Sequence, residues 1–340
     1  MKRILPLFLL LTLVLNGCSG TAKSTSAAPV TPAAAAKPVA TLVPLGTPSA
    51  QYGTEVARPL INDFVNIGPR LAGSNGETQA AQYIASVFTA LGYNPENQPF
   101  TAQAGSKTIT SANVFALKKG SSAQEIIVGA HYDSSEAAPG ADDNASGVAV
   151  MLEAAKLVQN VSTPYTIRFI AFGAGESGSL GSYAYLNQMS QDEFENMIAM
   201  VDLDSLVAGD NAYVFSDEGQ QAAVRDWALE WALGNGFNLQ TMQNAELTDK
   251  ATGKGLSDYA AFKDAGIPIA YFVATDLTLG DKKGTTQVDP KYGDQGVIRN
   301  TKYDTLSYLD TTFPGRVDAH LNLFISVLYN LLTHYEAPLQ

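Results

Sequence analysis

The chain has 340 residues, 46% hydrophobic and 16% charged, with a formal net charge of -12. That balance supports one large globular core or two modest ones. An acidic chain without a Lys/Arg patch excludes nucleic acid as a partner, and a single cysteine, Cys18, excludes an internal disulfide.

The amino terminus is not read as part of the fold. A positive start, MKR, precedes the apolar run ILPLFLLLTLVL, which is too short for a permanent membrane-spanning helix. The following LNGC, Leu15–Cys18, resembles a lipobox, so residues 1–17 read as a lipoprotein signal peptide and Cys18 as the lipidated residue. Residues 18–50 are rich in Ala, Pro, Ser and Thr and lack apolar periodicity. They read as a flexible tether holding a single domain, residues 51–340, off a membrane. The expected location is the bacterial cell envelope, outside the cytoplasm.

The domain alternates helix-like and strand-like segments, which predicts an α/β fold with a largely parallel sheet. Residues 75–91 have helical spacing, with Ser74 or Asn75 as cap and Gly92 as stop. Strands are predicted at Ala112–Leu117, Glu125–Ala130, Thr166–Phe172, Met197–Leu203 and Ile267–Val273, and helices over 146–158, 219–233 and 315–333.

Polar residues collect after these strands. His131 and Asp133 follow EIIVGA, Glu176 follows TIRFIAF, and Asp204 ends MIAMVDL. Open α/β sheets bind ligands outside the carboxyl ends of their strands. Asp142 and Asp143 lie on a glycine-bounded loop before the 146–158 helix. Imidazole and carboxylates together suit zinc, manganese or cobalt, and Asp133 is placed to accept a hydrogen bond from the His131 ring. Taken singly, each residue also has an ordinary reading: Asp143 as a helix cap, His131 as a partner of a nearby carboxylate.

The blocks GPRLAGSNGETQAAQYIASVFTALGY (68–93), GAHYDSS (129–135), PGADDNASGVAV (139–150), FIAFGAGESGSLGS (169–182), VDLDSL (201–206), SDYAAFKDAGIP (257–268) and NTKYDTL (300–306) fall in one order. Together they resemble the co-catalytic zinc aminopeptidases, metallopeptidase family twenty-eight, which also includes glutaminyl-cyclase relatives and non-catalytic receptors. The resemblance implies a mixed eight-stranded sheet between helices, and two zinc ions sharing an aspartate. It implies peptides or protein amino termini as partners. It places metal ligands at His131, Asp143, Glu176 and Asp204, with His131, Asp143 and Glu176 on one ion, and Asp143 and Asp204 on the other.

Two positions depart from the pattern. The general base falls on Gly175, and the last ligand histidine falls on Asn300 when Asp304, Thr305 and Leu306 are aligned. The other histidines, His320 and His334, lie on the terminal helix. One zinc is therefore expected, with a second weak or absent, because amide oxygen is a weak zinc ligand. A positioned base contributes about 10²–10⁴-fold to rate, so catalysis is expected to be weakened. Glu136, Asp133 and Asp142 are the acids close enough in sequence to substitute. The competing reading is a non-catalytic peptide- or protein-binding lipoprotein that keeps the fold; a third is a different hydrolytic or cyclising reaction at one ion.

Overall fold

The computed structural model describes residues 54–242, 257–280 and 283–338. The expected signal peptide, Cys18 and the tether lie outside these residues. Among the described residues, no helix is long and apolar enough to cross a membrane.

Eight strands form one sheet: β1 (Glu96–Ala104), β2 (Lys107–Lys118), β3 (Ser122–His131), β4 (Tyr165–Phe172), β5 (Met197–Asp204), β6 (Asn211–Phe215), β7 (Leu239–Gln240) and β8 (Ile269–Thr275). Their spatial order is β1-β2-β4-β3-β5-β8-β6-β7. The central run β4-β3-β5-β8 is parallel, while β1, β2 and β6 pair antiparallel with their inner neighbours. The sheet is thus mixed and eight-stranded, as expected.

Burial on both faces explains the near-continuous apolar runs of the central strands. In β3, Ile126, Val128 and Ala130 enter one core while Ile127 enters the other, as the two-residue side-chain period requires. The larger core holds α1 (Thr54–Ile67), α2 (Asn75–Ala90), α3 (Gly147–Val158), α6 (Ala223–Gly234) and α9 (Arg316–His334). The smaller core lies under α4 (Leu180–Gln188) and α7 (Tyr259–Asp264), around Phe172, Tyr185 and Phe262. Short helices α5 (Gln191–Asn196) and α8 (Leu306–Thr312) complete the set among described residues.

The α2 boundaries follow local chemistry. The Ser74 side chain accepts a hydrogen bond from the Glu77 N–H at 3.2 Å, and Gly92 takes a positive φ just past the end. The predicted 219–233 helix is divided: Gly219–Ala222 forms a 3₁₀ turn and α6 starts at Ala223.

Candidate metal centre

Parallel strands place their carboxyl ends side by side. His131 closes β3, Asp204 closes β5, and Glu176 stands in the turn after β4. Asp143 comes from the irregular turn Ala141–Ser146 that leads into α3. The His131 Nε2 atom lies 3.2 Å from Asp143 Oδ1 and 3.8 Å from Asp204 Oδ1. One ligand atom from each of the three residues falls within 4.8 Å of the others. On the opposite side of the ring, Nδ1 lies 3.3 Å from Asp133 Oδ1. Nδ1 also lies 3.3 Å from the Asp133 backbone carbonyl oxygen, so Asp133 brackets that side of the ring.

The grouping corrects the expected division of ligands. His131 and Asp143 are joined by Asp204, and Glu176 lies outside that cluster. Strand order supplies the reason: β3 lies between β4 and β5, and the His131 ring turns toward the β5 side.

Glu176 has a different neighbour. The Asn300 side-chain nitrogen donates to Asp143 Oδ2 at 3.1 Å and to Glu176 Oε2 at 3.4 Å. Asn300 reaches this position with a φ of 59°, a conformation asparagine tolerates better than most residues. Its amide therefore satisfies two carboxylates at once.

The Gly175 position is closed to a side chain. A Cβ there would stand 2.4 Å from the Cβ and 2.6 Å from the Cγ of His131. Asp133 draws the turn against the ring: its Oδ1 accepts from Gly175 N at 2.7 Å and its Oδ2 from Glu176 N at 3.1 Å. Glycine at 175 is therefore a packing requirement of this turn.

The acids expected as substitute bases divide in the same way. Asp142 is buried and accepts from Val207 N, Ala208 N and Gln287 Nε2 at 2.7–2.9 Å. Asp133 is committed to the turn and the ring. Glu136 is exposed and shares an open cleft of about 570 Å³ with Glu176, Ser135 and the Lys107–Thr110 strand.

Charges set the protonation of the centre. Burial opposes the His131 cation, but Asp133, Asp143 and Asp204 hold its pKa well above the ordinary value. Burial also pushes the Asp204 carboxyl up, yet the His131 ring and the Arg299 charge pull it down to about 2. Glu176 is exposed to the cleft; partial desolvation and the Asp143 charge push its carboxyl up to about 8.

Sequence reasoning passed over several supporting residues. Arg70 is fully buried and donates to the carbonyls of Tyr132, Pro139 and Gly140, tying both site loops together. Glu77 accepts from Ser111 Oγ, Gly73 N and Ala174 N, fixing the turn before Gly175. Asp304 accepts from the N–H groups of Asp142 and Asp143. Their signal was position inside the aligned blocks. The terminal-helix histidines do not join the metal cluster. His320 packs near Phe324 with its rings 6.2 Å apart, and His334 bonds locally to Thr333 and Asn330.

Residues 113–324 match Peptidase family M28. The chain belongs to peptidase family M28. This M28 chain is 32% identical over 279 residues to the alkaline phosphatase isozyme conversion protein of Escherichia coli, covering 73% of the chain and 81% of that protein. It is 35% identical over 190 residues to aminopeptidase YwaD of Bacillus subtilis, covering 54% of the chain and 38% of YwaD. A probable lipoprotein aminopeptidase of Mycobacterium tuberculosis, LpqL, is 29% identical over 255 residues, with 68% of the chain and 49% of LpqL covered. The M28 chain therefore spans about half or less of the latter two proteins. A zinc aminopeptidase structure from Bacillus subtilis superposes with a TM-score of 0.67 at 20% identity, covering 85% of this chain and 98% of that one.

Proposed function

We propose that this M28 chain is a membrane-tethered, zinc-dependent peptidase-like protein acting on the amino-terminal ends of peptides, with weakened catalysis. The observation that carries the reading is the intact cluster of His131, Asp143 and Asp204. Asp143 Oδ1 is buried there without a well-formed hydrogen bond and faces His131 Nε2 at 3.2 Å, an arrangement that a cation between ring and carboxylate would satisfy. One imidazole and two carboxylates fit zinc. The names of the aminopeptidase relatives support the substrate class, and LpqL supports the lipid anchor expected at Cys18.

When bound, zinc supplies Lewis-acid polarisation of a peptide carbonyl. The chain's own residues do the rest. Asp133 orients His131, Arg70 and Glu77 hold the loops, and the Glu136 and Glu176 carboxyl groups line the cleft, where a peptide's ammonium group would bind. Gly175 offers nothing to accept a proton. Asn300, with its N–H on Asp143 and Glu176, disfavours a second ion at that side.

The test uses the intact chain in detergent. Zinc content is measured together with hydrolysis of amino-acid amides and dipeptides under zinc, manganese or cobalt. One zinc per chain, with turnover above a His131→Ala control, is expected. Turnover no greater than that control would retire the hydrolase reading and leave the peptide-binding one. The closed position at Gly175 is the feature that favours that second reading.

A further inference from the structure

A second group of polar atoms lies beneath the candidate zinc centre, and the metal cluster does not use it. Asp202 is two residues before Asp204 on β5, so its side chain shares that face, about 6–7 Å further down the strand. Asp202 and Asp258 are fully buried, and Ser257 is 5% exposed. Asp202 Oδ2 accepts from Tyr259 N at 2.9 Å, which sets the β5 acid against the start of α7. Four neighbouring oxygens have no hydrogen-bond partner: Asp202 Oδ1, both carboxylate oxygens of Asp258, and Ser257 Oγ.

Such a group is expensive. Buried polar atoms are almost always paired, and a buried charge needs a countercharge. Among the described residues, no arginine or lysine pairs with either acid. Met200, Tyr259, Phe262 and Tyr271 share this core, with the Ser182 hydroxyl and the His131 ring the further polar groups that act on Asp258. The unused donors are all oxygens, carboxylates and a hydroxyl, with no imidazole or thiolate. Oxygen-only sites select hard cations over zinc.

We propose that Asp202, Ser257 and Asp258 bind a hard cation of the alkali or alkaline-earth class, distinct from the His131 metal. The cation joins the end of β5 to the start of α7 and supplies positive charge below Asp204. Neither Asp258 nor Ser257 belongs to the three-residue His131 cluster, although Ser257 lies beside Asp204 and the His131 charge reaches Asp258.

Thermal unfolding of the intact chain, stripped of divalent ions and held in choline chloride, tests it. Sodium, potassium, magnesium and calcium are titrated separately at constant ionic strength. One of them is expected to raise Tm saturably by about 3–5 °C over choline. A saturable shift is expected to persist in His131→Ala, with its midpoint at lower cation concentration because a neighbouring positive charge is gone, which separates this site from the zinc centre, and it is expected to vanish in Asp258→Asn. Ser257→Ala removes one ligand with little change in packing and is expected to move the cation midpoint about fivefold or more. Equal Tm in choline and every cation would overturn the proposal, leaving a buried water or shared proton as the partner. An undiminished shift in Asp258→Asn, or an unmoved midpoint in Ser257→Ala, would also overturn it.

Discussion

The two sides of the candidate metal centre share Asp143 but satisfy it by opposite means. On the β5 side, Asp143 Oδ1 faces the His131 ring at 3.2 Å and Asp204 without a well-formed hydrogen bond. On the β4 side, Asp143 Oδ2 receives the Asn300 amide, which also reaches Glu176. A carboxylate oxygen without a well-formed hydrogen bond retains its demand for a cation, whereas one that holds an N–H has part of that demand met. On the proposed reading, the Asn300 amide would disfavour an ion on the β4 side while the β5 side stays open to one.

The largest effect should come from breaking the β5 side. His131→Ala or Asp143→Asn removes a ligand from a three-residue set, and zinc affinity measured by calorimetry should fall at least about 100-fold, since disturbing even an outer partner costs 10–100-fold. Loss of the same size in Glu176→Gln would erase the distinction between the sides, because Glu176 would then be an equal ligand.

Gly175 sharpens the contrast next. Introducing a carboxylate with Gly175→Glu drives a Cβ into the root of the His131 side chain. Overpacking of this kind typically costs about 1–3 kcal/mol. Gly175→Glu should therefore lower stability in denaturant unfolding and weaken zinc binding about tenfold, without restoring turnover. Gly175→Ala should reproduce most of the stability loss, because the collision begins at Cβ. A fully stable, active Gly175→Glu variant would show that the turn and His131 move apart freely.

How much of this was legible from sequence follows the physics of each feature. The central strands were readable because burial on both faces leaves unbroken apolar runs, as in EIIVGA and TIRFIAF. Their ends located His131, Glu176 and Asp204 at one edge. The grouping of those residues was not readable, because it depends on β3 lying between β4 and β5 and on which way one ring turns. Strand β1 was also hidden: ENQPFTAQA is polar, contains Pro99, and buries only Phe100. Such an edge strand is recognised by its pairing with β2 rather than by its own pattern. Asn300 could be read as a lost ligand, but its hydrogen bonds to two carboxylates required the fold. The same is true of the steric demand at Gly175.

A milder change addresses the β4 side directly. Asn300→His replaces the amide with an imidazole beside Asp143 and Glu176. Zinc content should rise from about one toward two ions per chain, with the second weaker than the first. Unchanged content would mean that the amide is not what keeps the second position silent.

The smallest effect is the pH response of the metal-free protein, where the two sides should pull in opposite directions. Asp204 is held at about 2, below the ordinary aspartate value of 3.8. Its folded form binds fewer protons than the unfolded chain, so its contribution is complete above pH 3.8 and lost as pH falls toward 2. Glu176 is raised from 4.5 to about 8. Its folded form retains a proton that the unfolded chain releases, so stability declines as pH rises from 4.5 through 8. Glu176→Gln removes that titration while keeping the side chain's shape. In metal-free protein, the fall in Tm between pH 5 and pH 8 should be smaller in Glu176→Gln than in the parent chain. An identical fall in both would assign the slope to other groups and place Glu176 in free exchange with solvent, unaffected by the Asp143 charge across Asn300.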